Sequence, residues 1–323
     1  MNLKLKPFCK WVGGKTQLLP ALLNILPIDF DPKKMPYCEP FIGGGALLWK
    51  LQPNNAFISD KNADLINAYK VVRDYPNELM GKLRPHQSKL NEFIKDGDEL
   101  AYKKYFKNIR AQYNASKLTD KNTLERACLF IFINKAGYNG MYRVNQNGGL
   151  NTPAGYPAKP ENGVTLFDTE VIQATSEYLN KPGIVIQHLD FEEAIKQFIG
   201  LHKKGFVYLD PPYWPLPHQE SNFNSYTTGG FDLEKHYGLR DLCRELSNNN
   251  IHFLQSNSYS KVLDLYREIE GVSIRTVGAT RAINSDSKGR SKVTEILIKN
   301  YSLPFYGELL NIDLQNIDKL LNI

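Results

Sequence analysis

The tetrapeptide Asp210-Pro211-Pro212-Tyr213 combines residue types that could hold a planar amino group for chemistry. It directly follows the apolar run 206–209, so we expect it at the carboxyl end of a strand, where open α/β sheets bind ligands. An amino nitrogen on an aromatic ring is a poor nucleophile because its lone pair is delocalised. The Asp210 carboxylate and the Pro211 carbonyl could accept both of its N–H bonds, while Tyr213 stacks on the ring. A proline turn with a capping Asp and a partly buried Tyr is the alternative.

A glycine-rich turn earlier in the chain suits a nucleotide-like ligand. The segment Glu39-Pro40-Phe41-Ile42-Gly43-Gly44-Gly45 separates a short strand-like run from the helical run 46–51. Glycines allow a ligand to approach the backbone, and the helix that follows presents unpaired N–H groups. The turn fits either a dinucleotide or S-adenosylmethionine, although a dinucleotide fingerprint would have a glycine where this chain has Leu48. A tight turn with packing glycines is the alternative.

Two acidic residues follow other strand-like runs. Asp60 comes after the run 56–59 and could accept hydrogen bonds from ribose hydroxyls. Asp190 comes after the run 184–187 and could accept from the amino group of an adenine on which Phe191 stacks. Each aspartate equally suits the N-cap of the helix that follows it.

The segment Lys10-Trp11-Val12-Gly13-Gly14-Lys15 joins two cations, an aromatic ring and a glycine turn ahead of an apolar helix predicted over 18–26. It suits a loop that closes over a charged or planar ligand. Without other motifs, a simple N-terminal turn explains it as well.

The order of elements predicts an α/β fold with a Rossmann-like, mostly parallel sheet covered on both faces. Strand-like runs lie at 36–41, 56–59, 183–187, 206–209, 251–254 and 294–298, and helical runs lie at 46–51, 63–72, 191–198 and 233–247. Residues 73–163 differ, with polar helices predicted over 99–114 and 124–134 before a Gly/Asn-rich stretch that has the turn chemistry of a hairpin. We therefore predict a discontinuous catalytic domain at 1–72 and 164–302, an inserted and mainly helical domain at 73–163, and a helical tail at 303–323.

Composition excludes some classes of protein. A net charge of +6 suits a polyanionic partner without proving one. The chain has no run of eighteen apolar residues and no signal-like N-terminus, so we expect a cytoplasmic protein with no membrane partner. The four cysteines lie far apart, which favours a reduced compartment and argues against a metal site.

Together these segments resemble the DPPY-type DNA adenine-N6 methyltransferases, particularly the Dam-type family that modifies GATC. The family order of K-W-x-G-G-K, E-P-F-x-G-x-G, an acidic ribose contact, an inserted target-recognition domain and D-P-P-Y is matched from Lys10 to about Tyr301. The resemblance implies a methyltransferase fold that moves a methyl group from S-adenosyl-L-methionine to N6 of a flipped adenine in double-stranded DNA. The cofactor contacts that it implies are Lys10, Trp11, Gly14, Lys15, Glu39, Pro40, Phe41, Gly43, Gly45, Asp60, Asp190, Phe191 and Asp210, and the catalytic residues are Asp210, Pro211, Pro212 and Tyr213.

The segment 137–143 is similar to the G-Y-N-G-L-x-R hairpin of that family. The resemblance implies that Tyr138, Asn139 and Met141 open the base stack and fill the gap. It also implies that Arg143 and Lys10 each contact a guanine of the recognition site, for which an arginine fork fits O6 and N7.

The chain departs from the Dam-type pattern at several positions. Met141 replaces a leucine, Lys135 stands where an arginine is common, and the residues after Pro153 diverge. Asp190 fits the wider family better than the Dam subgroup. GATC therefore remains one candidate among short palindromes.

Two later segments extend the comparison. Phe223-Asn224-Ser225-Tyr226 resembles a segment that orders around the target base in relatives. The basic stretch 281–292 could follow DNA phosphates or be a solvated turn.

The mechanism that we expect is direct displacement, in which the adenine amino nitrogen attacks the sulfonium methyl group without a metal or a covalent enzyme intermediate. Three alternatives remain open: an RNA or protein amide acceptor, a catalytically silent DNA-binding module, and an NAD-dependent oxidoreductase. We expect a monomer, which could share its site with a cognate restriction endonuclease.

Overall fold

The computed structural model describes residues 5–303, except residues 12, 146–147, 160, 162, 215–230, 268 and 281–291. The strands are β1 Tyr37–Glu39, β2 Ala56–Asp60, β3 Ile184–His188, β4 Phe206–Leu209, β5 His252–Ser258, β6 Ser273–Thr280 and β7 Lys292–Lys299. The helices are α1 Leu19–Leu23, α2 Ala46–Leu51, α3 Ala63–Asp74, α4 Pro76–Lys95, α5 Glu99–Ala115, α6 Thr123–Ala136, α7 Thr169–Leu179, α8 Phe191–Leu201, α9 Leu233–Asn248 and α10 Val262–Tyr266. Short 3-10 helices cover Lys15–Gln17 and Tyr138–Gly140.

The strands form one sheet in the order β3-β2-β1-β4-β5-β7-β6. The pairings from β3 through β5 are parallel, whereas β7 pairs antiparallel with both β5 and β6. Because β1 leads to β2 on one side while β4 lies on the other, the strand order reverses between β1 and β4. In parallel α/β sheets, ligands bind beyond the carboxyl ends of the strands at such a reversal. The predicted α/β fold with a mostly parallel sheet is confirmed.

Alternate residues of the parallel strands point to opposite faces of the sheet, as the pleat requires. On one face, Tyr37 and Tyr208 join the apolar core that contains helices α2, α3 and α7. On the other face, Cys38 and Val207 join a second core with α8, α9 and α10. Both faces are therefore buried, which explains why these strands are apolar apart from the polar residues at their carboxyl ends.

Residues 73–163 contain α4, α5 and α6 followed by a long loop, and α6 packs on α3 of the sheet-bearing part. A buried ion pair supports this packing, because the Arg126 guanidinium contacts both carboxylate oxygens of Asp64 at 2.6 and 3.0 Å. The Tyr113 hydroxyl donates to the same carboxylate at 2.6 Å. The division into domains at residues 73 and 163 remains a prediction.

Several elements differ from the sequence-based expectation. Helix α4 contains Pro85 and was not predicted, because its prolines and glycine interrupt the helical pattern, although its apolar residues share one buried face. Helix α7 and strand β6 were also missed. The helix predicted over 18–26 is shorter, ending at Leu23, and β5 continues past Leu254 through four polar residues.

Among the described residues, no helix is long and apolar enough to cross a membrane. The segment 223–226, residues 281–291 of the basic stretch and the tail from 304 onward lie outside the described residues.

Candidate active site

A cavity of about 1100 Å³ opens beyond the carboxyl ends of strands β1 to β4, at the reversal of strand order. Its wall is built from the loops that follow these strands and from the segment before α1. Every residue predicted to contact the cofactor or to act in catalysis lines this cavity. The structure therefore brings together motifs that are separated by up to 200 positions in the chain.

The glycine loop after β1 is closely packed against other parts of the site. Gly43 and Gly45 have positive φ angles of 46° and 68°, a region that side chains with a Cβ rarely adopt. A Cβ on Gly43 would lie 2.6 Å from the indole of Trp11, and one on Gly45 would lie 2.9 Å from the Tyr69 hydroxyl. Glycine at position 43 therefore lets the loop pass directly against the Trp11 ring, and glycine at position 45 leaves room for the Tyr69 hydroxyl.

Asp60 holds the glycine loop from the end of β2. One carboxylate oxygen accepts from the Gly43 N–H at 3.1 Å, and the other accepts from the Asn62 N–H at 2.9 Å. Asn62, not Asp60, caps α3, because its side chain accepts from the Leu65 N–H at 2.9 Å. The helix-cap alternative for Asp60 is therefore wrong. Burial raises the pKa of Asp60, while these backbone donors favour the carboxylate and oppose the rise.

Asp190 and Phe191 occupy the end of β3. Asp190 caps α8 by accepting from the Glu192 N–H at 3.4 Å, and its carboxylate lies 3.6 Å from the Lys61 ammonium. Phe191 is buried and stacks on Phe41 with ring centroids 5.2 Å apart. A third ring, Phe231, packs edge-on against Phe41 at 5.8 Å, and it was not predicted from the sequence. These three rings form an aromatic wall of the cavity.

The Asp210 carboxylate is held through one of its two oxygens. Oδ1 lies 2.7 Å from the Lys15 ammonium and accepts from the Ser256 hydroxyl at 2.9 Å. Lys15 itself is only 7% exposed and also donates to the Gly13 carbonyl at 2.5 Å. Oδ2 makes no hydrogen bond with any residue that the structure describes. Asp210 therefore has a fixed orientation and an oxygen that can accept a hydrogen bond from a substrate.

Tyr213 is also held in place at its polar end. Its hydroxyl donates to the Glu295 carboxylate at 2.7 Å, and the Lys15 ammonium lies 4.7 Å from the centre of its ring. Burial and the nearby Asp210 carboxylate raise the pKa of Tyr213, so the phenol remains a neutral donor. Glu295 was missed as a site residue, although the sequence signal exists: it is the one charged residue in the predicted strand 294–298.

The polar end of β5 supports the same loop from below. Asn257 accepts from the Trp214 N–H at 3.0 Å, and the Ser258 hydroxyl donates to the Trp214 carbonyl at 2.5 Å. Residues Gln255, Ser256, Asn257 and Ser258 are all buried. Their polarity ended the predicted strand at 254. They continue it because Gln255 accepts from the Tyr266 hydroxyl and the other three residues bond to the loop after β4.

Glu39 lies beneath the cavity with its side chain almost completely buried. The Tyr37 hydroxyl donates to its carboxyl group at 2.7 Å. Burial raises the pKa of Glu39 to about 8, and the Asp210 charge adds to the rise while the Tyr37 hydrogen bond opposes it. Glu39 is therefore mostly protonated at neutral pH, which avoids a second full negative charge beside Asp210.

The Asn-Gly turn predicted in the segment 137–143 is confirmed. Asn139 and Gly140 both have positive φ, and the Met141 N–H donates to the Tyr138 carbonyl at 3.2 Å across them. An antiparallel bridge between residues 144 and 150 closes the loop beyond. Asn139 lines the cavity, whereas Tyr138, Met141 and Arg143 lie outside it.

The loop contacts the N-terminal segment through Asn134 of α6. Its side chain accepts from the Lys10 N–H at 2.8 Å and donates to the Lys10 carbonyl at 2.6 Å. A Cβ on Gly140 would collide with the Lys10 side chain, and Trp11 stacks on Tyr142 with centroids 5.8 Å apart. Residues predicted to read DNA therefore lie directly against residues predicted to hold the cofactor.

The acidic, cysteine and histidine side chains give no sign of a metal centre in the part of the chain that the structure describes. No group of three or more of them there is arranged to hold an ion. All four cysteines are buried and unpaired.

Comparison with known proteins places the chain in a family. Residues 11–283 match the family model of the D12 class N6 adenine-specific DNA methyltransferases. The type II methyltransferase M1.LlaDCHI of Lactococcus lactis subsp. cremoris is 36% identical over 301 residues, which cover 93% of this chain and 97% of that protein. The type II methyltransferase M.MjaIII of Methanocaldococcus jannaschii is 35% identical over 306 residues, covering 93% and 100%. A DNA adenine methylase of Haemophilus influenzae is 30% identical over 301 residues, covering 92% and 94%. The chain therefore belongs to the D12 class N6 adenine-specific DNA methyltransferases.

Proposed function

We propose that this enzyme transfers a methyl group from S-adenosylmethionine to N6 of an adenine that has rotated out of duplex DNA into the cavity beside Asp210. The observation that carries the proposal is the hydrogen bonding of the Asp210 carboxylate. Its Oδ1 is held by Lys15 and Ser256, which leaves Oδ2 as an acceptor, and the carbonyl of the next residue, Pro211, is the second acceptor that we propose. Two adjacent acceptors match the two N–H donors of an adenine amino group.

The cavity has the features that S-adenosylmethionine requires. Its volume of about 1100 Å³ exceeds that of typical small-molecule sites, which leaves room for a base beside the cofactor. Gly43 leaves room for the indole of Trp11 against the loop, Asp60 suits ribose hydroxyls, and the Phe41–Phe191 wall suits an adenine ring. The residues proposed to hold the cofactor are Lys10, Trp11, Gly14, Lys15, Glu39, Pro40, Phe41, Gly43, Gly45, Asp60, Asp190, Phe191 and Asp210. When bound, S-adenosylmethionine supplies an electrophilic sulfonium methyl group.

The protein groups prepare the amino nitrogen for attack. Asp210 Oδ2 and the Pro211 carbonyl accept its two N–H bonds, which draws the nitrogen lone pair out of conjugation with the ring. Because Lys15 and Ser256 already hold the carboxylate, little reorganisation is needed when the adenine arrives. Tyr213 packs against the base, and its neighbour Pro212 restricts the loop.

We further propose that the segment 137–143 reads the DNA sequence. Tyr138 and Arg143 are exposed, so both can reach a duplex outside the cavity. Arg143 and Lys10 would each contact a guanine, while Tyr138, Asn139 and Met141 fill the space that the adenine leaves. Guanine contacts on both sides of an adenine fit a short palindrome such as GATC. Residues 73–163 would then be the target-recognition domain, inserted between catalytic parts 1–72 and 164–302.

Two of the relatives are named as type II methyltransferases, which supports a cognate restriction endonuclease that shares the recognition site. We propose that the methyltransferase acts as a monomer in the cytoplasm and does not need contact with that endonuclease.

The test uses the purified protein with S-adenosylmethionine and DNA duplexes that carry GATC or one-base variants of it. Digestion to nucleosides followed by mass spectrometry should find N6-methyldeoxyadenosine, in the GATC duplex above all. An Asp210→Ala variant should give none, whereas Asp241→Ala, at an exposed site on α9, should match the wild type. Methylated cytosine, or methylation of RNA but not DNA, would overturn the proposal.

A further inference from the structure

The contact between Tyr213 and Glu295 joins the loop after β4 to strand β7, which lies much later in the sequence. The Tyr213 phenol donates to Glu295 at 2.7 Å across a separation of 82 positions. Glu295 lies in β7 opposite Ser258 of β5, beside the polar residues that support the loop after β4. It is only 8% exposed, and the strand residues that follow it, Ile296 to Ile298, are completely buried.

A carboxylate in this position destabilises the fold unless it has hydrogen-bond partners, because burial removes its hydration. An apolar residue would continue the pattern of β7 at lower cost. The carboxylate instead accepts the proton of Tyr213, whose pKa is raised so that the phenol keeps that proton. The hydrogen bond from Tyr213 thus gives the buried acid a partner in the loop after β4.

The hydrogen bond restricts the aromatic ring on which the proposed mechanism depends. The prolines before Tyr213 restrict its backbone, and the contact with Glu295 fixes the far end of the ring. The Lys15 ammonium, which also pairs with Asp210, lies 4.7 Å from the ring centre. A ring held at both ends loses little conformational entropy when a base packs against it.

We propose that Glu295 is a positioning residue for methyl transfer, which sets the orientation of the Tyr213 ring against the target adenine through its hydrogen bond. This inference rests on the proposed function. Glu295 lines the cavity, and the role that we propose for it is exerted through Tyr213.

The test is a double-mutant cycle with Tyr213→Phe and Glu295→Leu, read as single-turnover methylation of a duplex substrate. Each single change should slow the reaction by about 30-fold, because both remove the same hydrogen bond. The double variant should be no more than about threefold slower than either single variant, since coupled residues are non-additive. KM for S-adenosylmethionine should change by less than about threefold. Effects that multiply in the double variant, or wild-type rates in both single variants, would overturn the proposal.

Conservative and matched variants separate positioning from a general loss of structure. Glu295→Gln keeps an acceptor oxygen and should restore the rate to within about fivefold of the wild type. Glu245→Ala, at an exposed position of α9, is the control for loss of a glutamate and should leave the methylation rate unchanged. If Glu295→Leu does not fold, Tyr213→Phe alone decides: a wild-type rate would contradict the inference.

A duplex with 2-aminopurine at the target position reports whether the base still leaves the stack. Its fluorescence should rise with the Glu295→Leu variant as with the wild type, because the defect that we expect comes after extrusion. A wild-type protein that methylates no adenine would refute the proposed function and this inference together. An active wild type with an equally active Glu295→Leu variant would refute this inference alone.

Discussion

The cavity and the loop at 137–143 are built on opposite principles. In the cavity, Asp210 and Tyr213 have hydrogen-bond partners before any substrate arrives. On the loop, Tyr138, Asn139 and Arg143 are exposed, and the structure gives their side chains no hydrogen bond with any residue that it describes.

We attribute this difference to the tasks proposed for the two regions, catalysis in the cavity and sequence reading by the loop. Stabilising a transition state depends on groups that are already oriented, because reorientation during the reaction raises the barrier. Reading a base sequence depends on donors that remain free until the DNA supplies acceptors. Substitutions in the cavity should therefore reduce rate, and substitutions on the loop should reduce discrimination between sequences.

The largest effect should come from Asp210→Ala. Loss of the carboxylate would remove the acceptor proposed for the adenine amino group and leave Lys15 without its carboxylate partner, so the methylation rate should fall by at least about 1000-fold. DNA affinity, measured by fluorescence anisotropy, should change by less than about fivefold. A large loss of DNA binding with normal turnover would contradict the assignment of catalysis to the cavity and of DNA reading to the loop.

Arg143→Ala should have the next largest effect and act on recognition. Loss of the bidentate guanine contact that we propose for Arg143 should weaken discrimination against a changed guanine by about 1 to 3 kcal/mol. The ratio of kcat/KM between the recognition duplex and the altered duplex measures this effect. Arg110 supports this region from α5 by donating to the Thr152 carbonyl. Arg110→Ala should therefore lower stability and leave the ratio of kcat/KM between the two duplexes closer to that of the wild type.

Asn134→Ala tests whether the two regions communicate. Its side chain makes two hydrogen bonds to the backbone of Lys10, and its loss should let the N-terminal segment move relative to the loop. We expect a reduction of about 5- to 20-fold in kcat/KM, with weaker binding of both cofactor and DNA. Isothermal titration of S-adenosylhomocysteine with and without DNA checks this. Full activity with unchanged affinities would show that the contact is only structural packing.

Glu39→Gln should have the smallest effect on turnover and a distinct effect on stability. The pKa of Glu39 is raised from its ordinary value of 4.5 to about 8 in the folded protein. Between these two pH values the folded protein keeps a proton on Glu39 that the unfolded chain has released. The stabilising contribution is complete below pH 4.5 and declines as the pH rises toward 8. Relative to Glu39→Gln, the free energy of unfolding of the wild type should fall by up to about 4 kcal/mol over this range. Parallel denaturation curves at all pH values would contradict the assignment.

The parallel strands β1 to β4 of the sheet could be predicted well from the sequence, because each is a short, mainly apolar run with an acidic residue at or just after its end. Asp60 ends β2, and Asp190 and Asp210 follow β3 and β4, so the rule that ligands bind at carboxyl ends was enough to group them. The Asn139–Gly140 turn was predictable from local backbone preference.

The antiparallel half was harder to predict. Ser256 and Asn257 look like loop residues in the sequence, and they are buried in β5 only because a distant loop bonds to them. Glu295 likewise interrupts an apolar strand for a reason that lies 82 positions away. When the hydrogen-bond partner of a residue is distant in the sequence, no pattern of neighbouring residues predicts the contact. The residues that hold the catalytic loop in place are largely of this kind.

The most direct test of this division of labour is a genome-wide map of N6-methyladenine, obtained by single-molecule sequencing in a host that lacks adenine methylation. Expression of the wild type should methylate adenine in one short motif, Asp210→Ala should methylate none, and Arg143→Ala should methylate related motifs as well. Methylation that persists in the Asp210→Ala variant, or a wild type that leaves every adenine unmodified, would contradict the account.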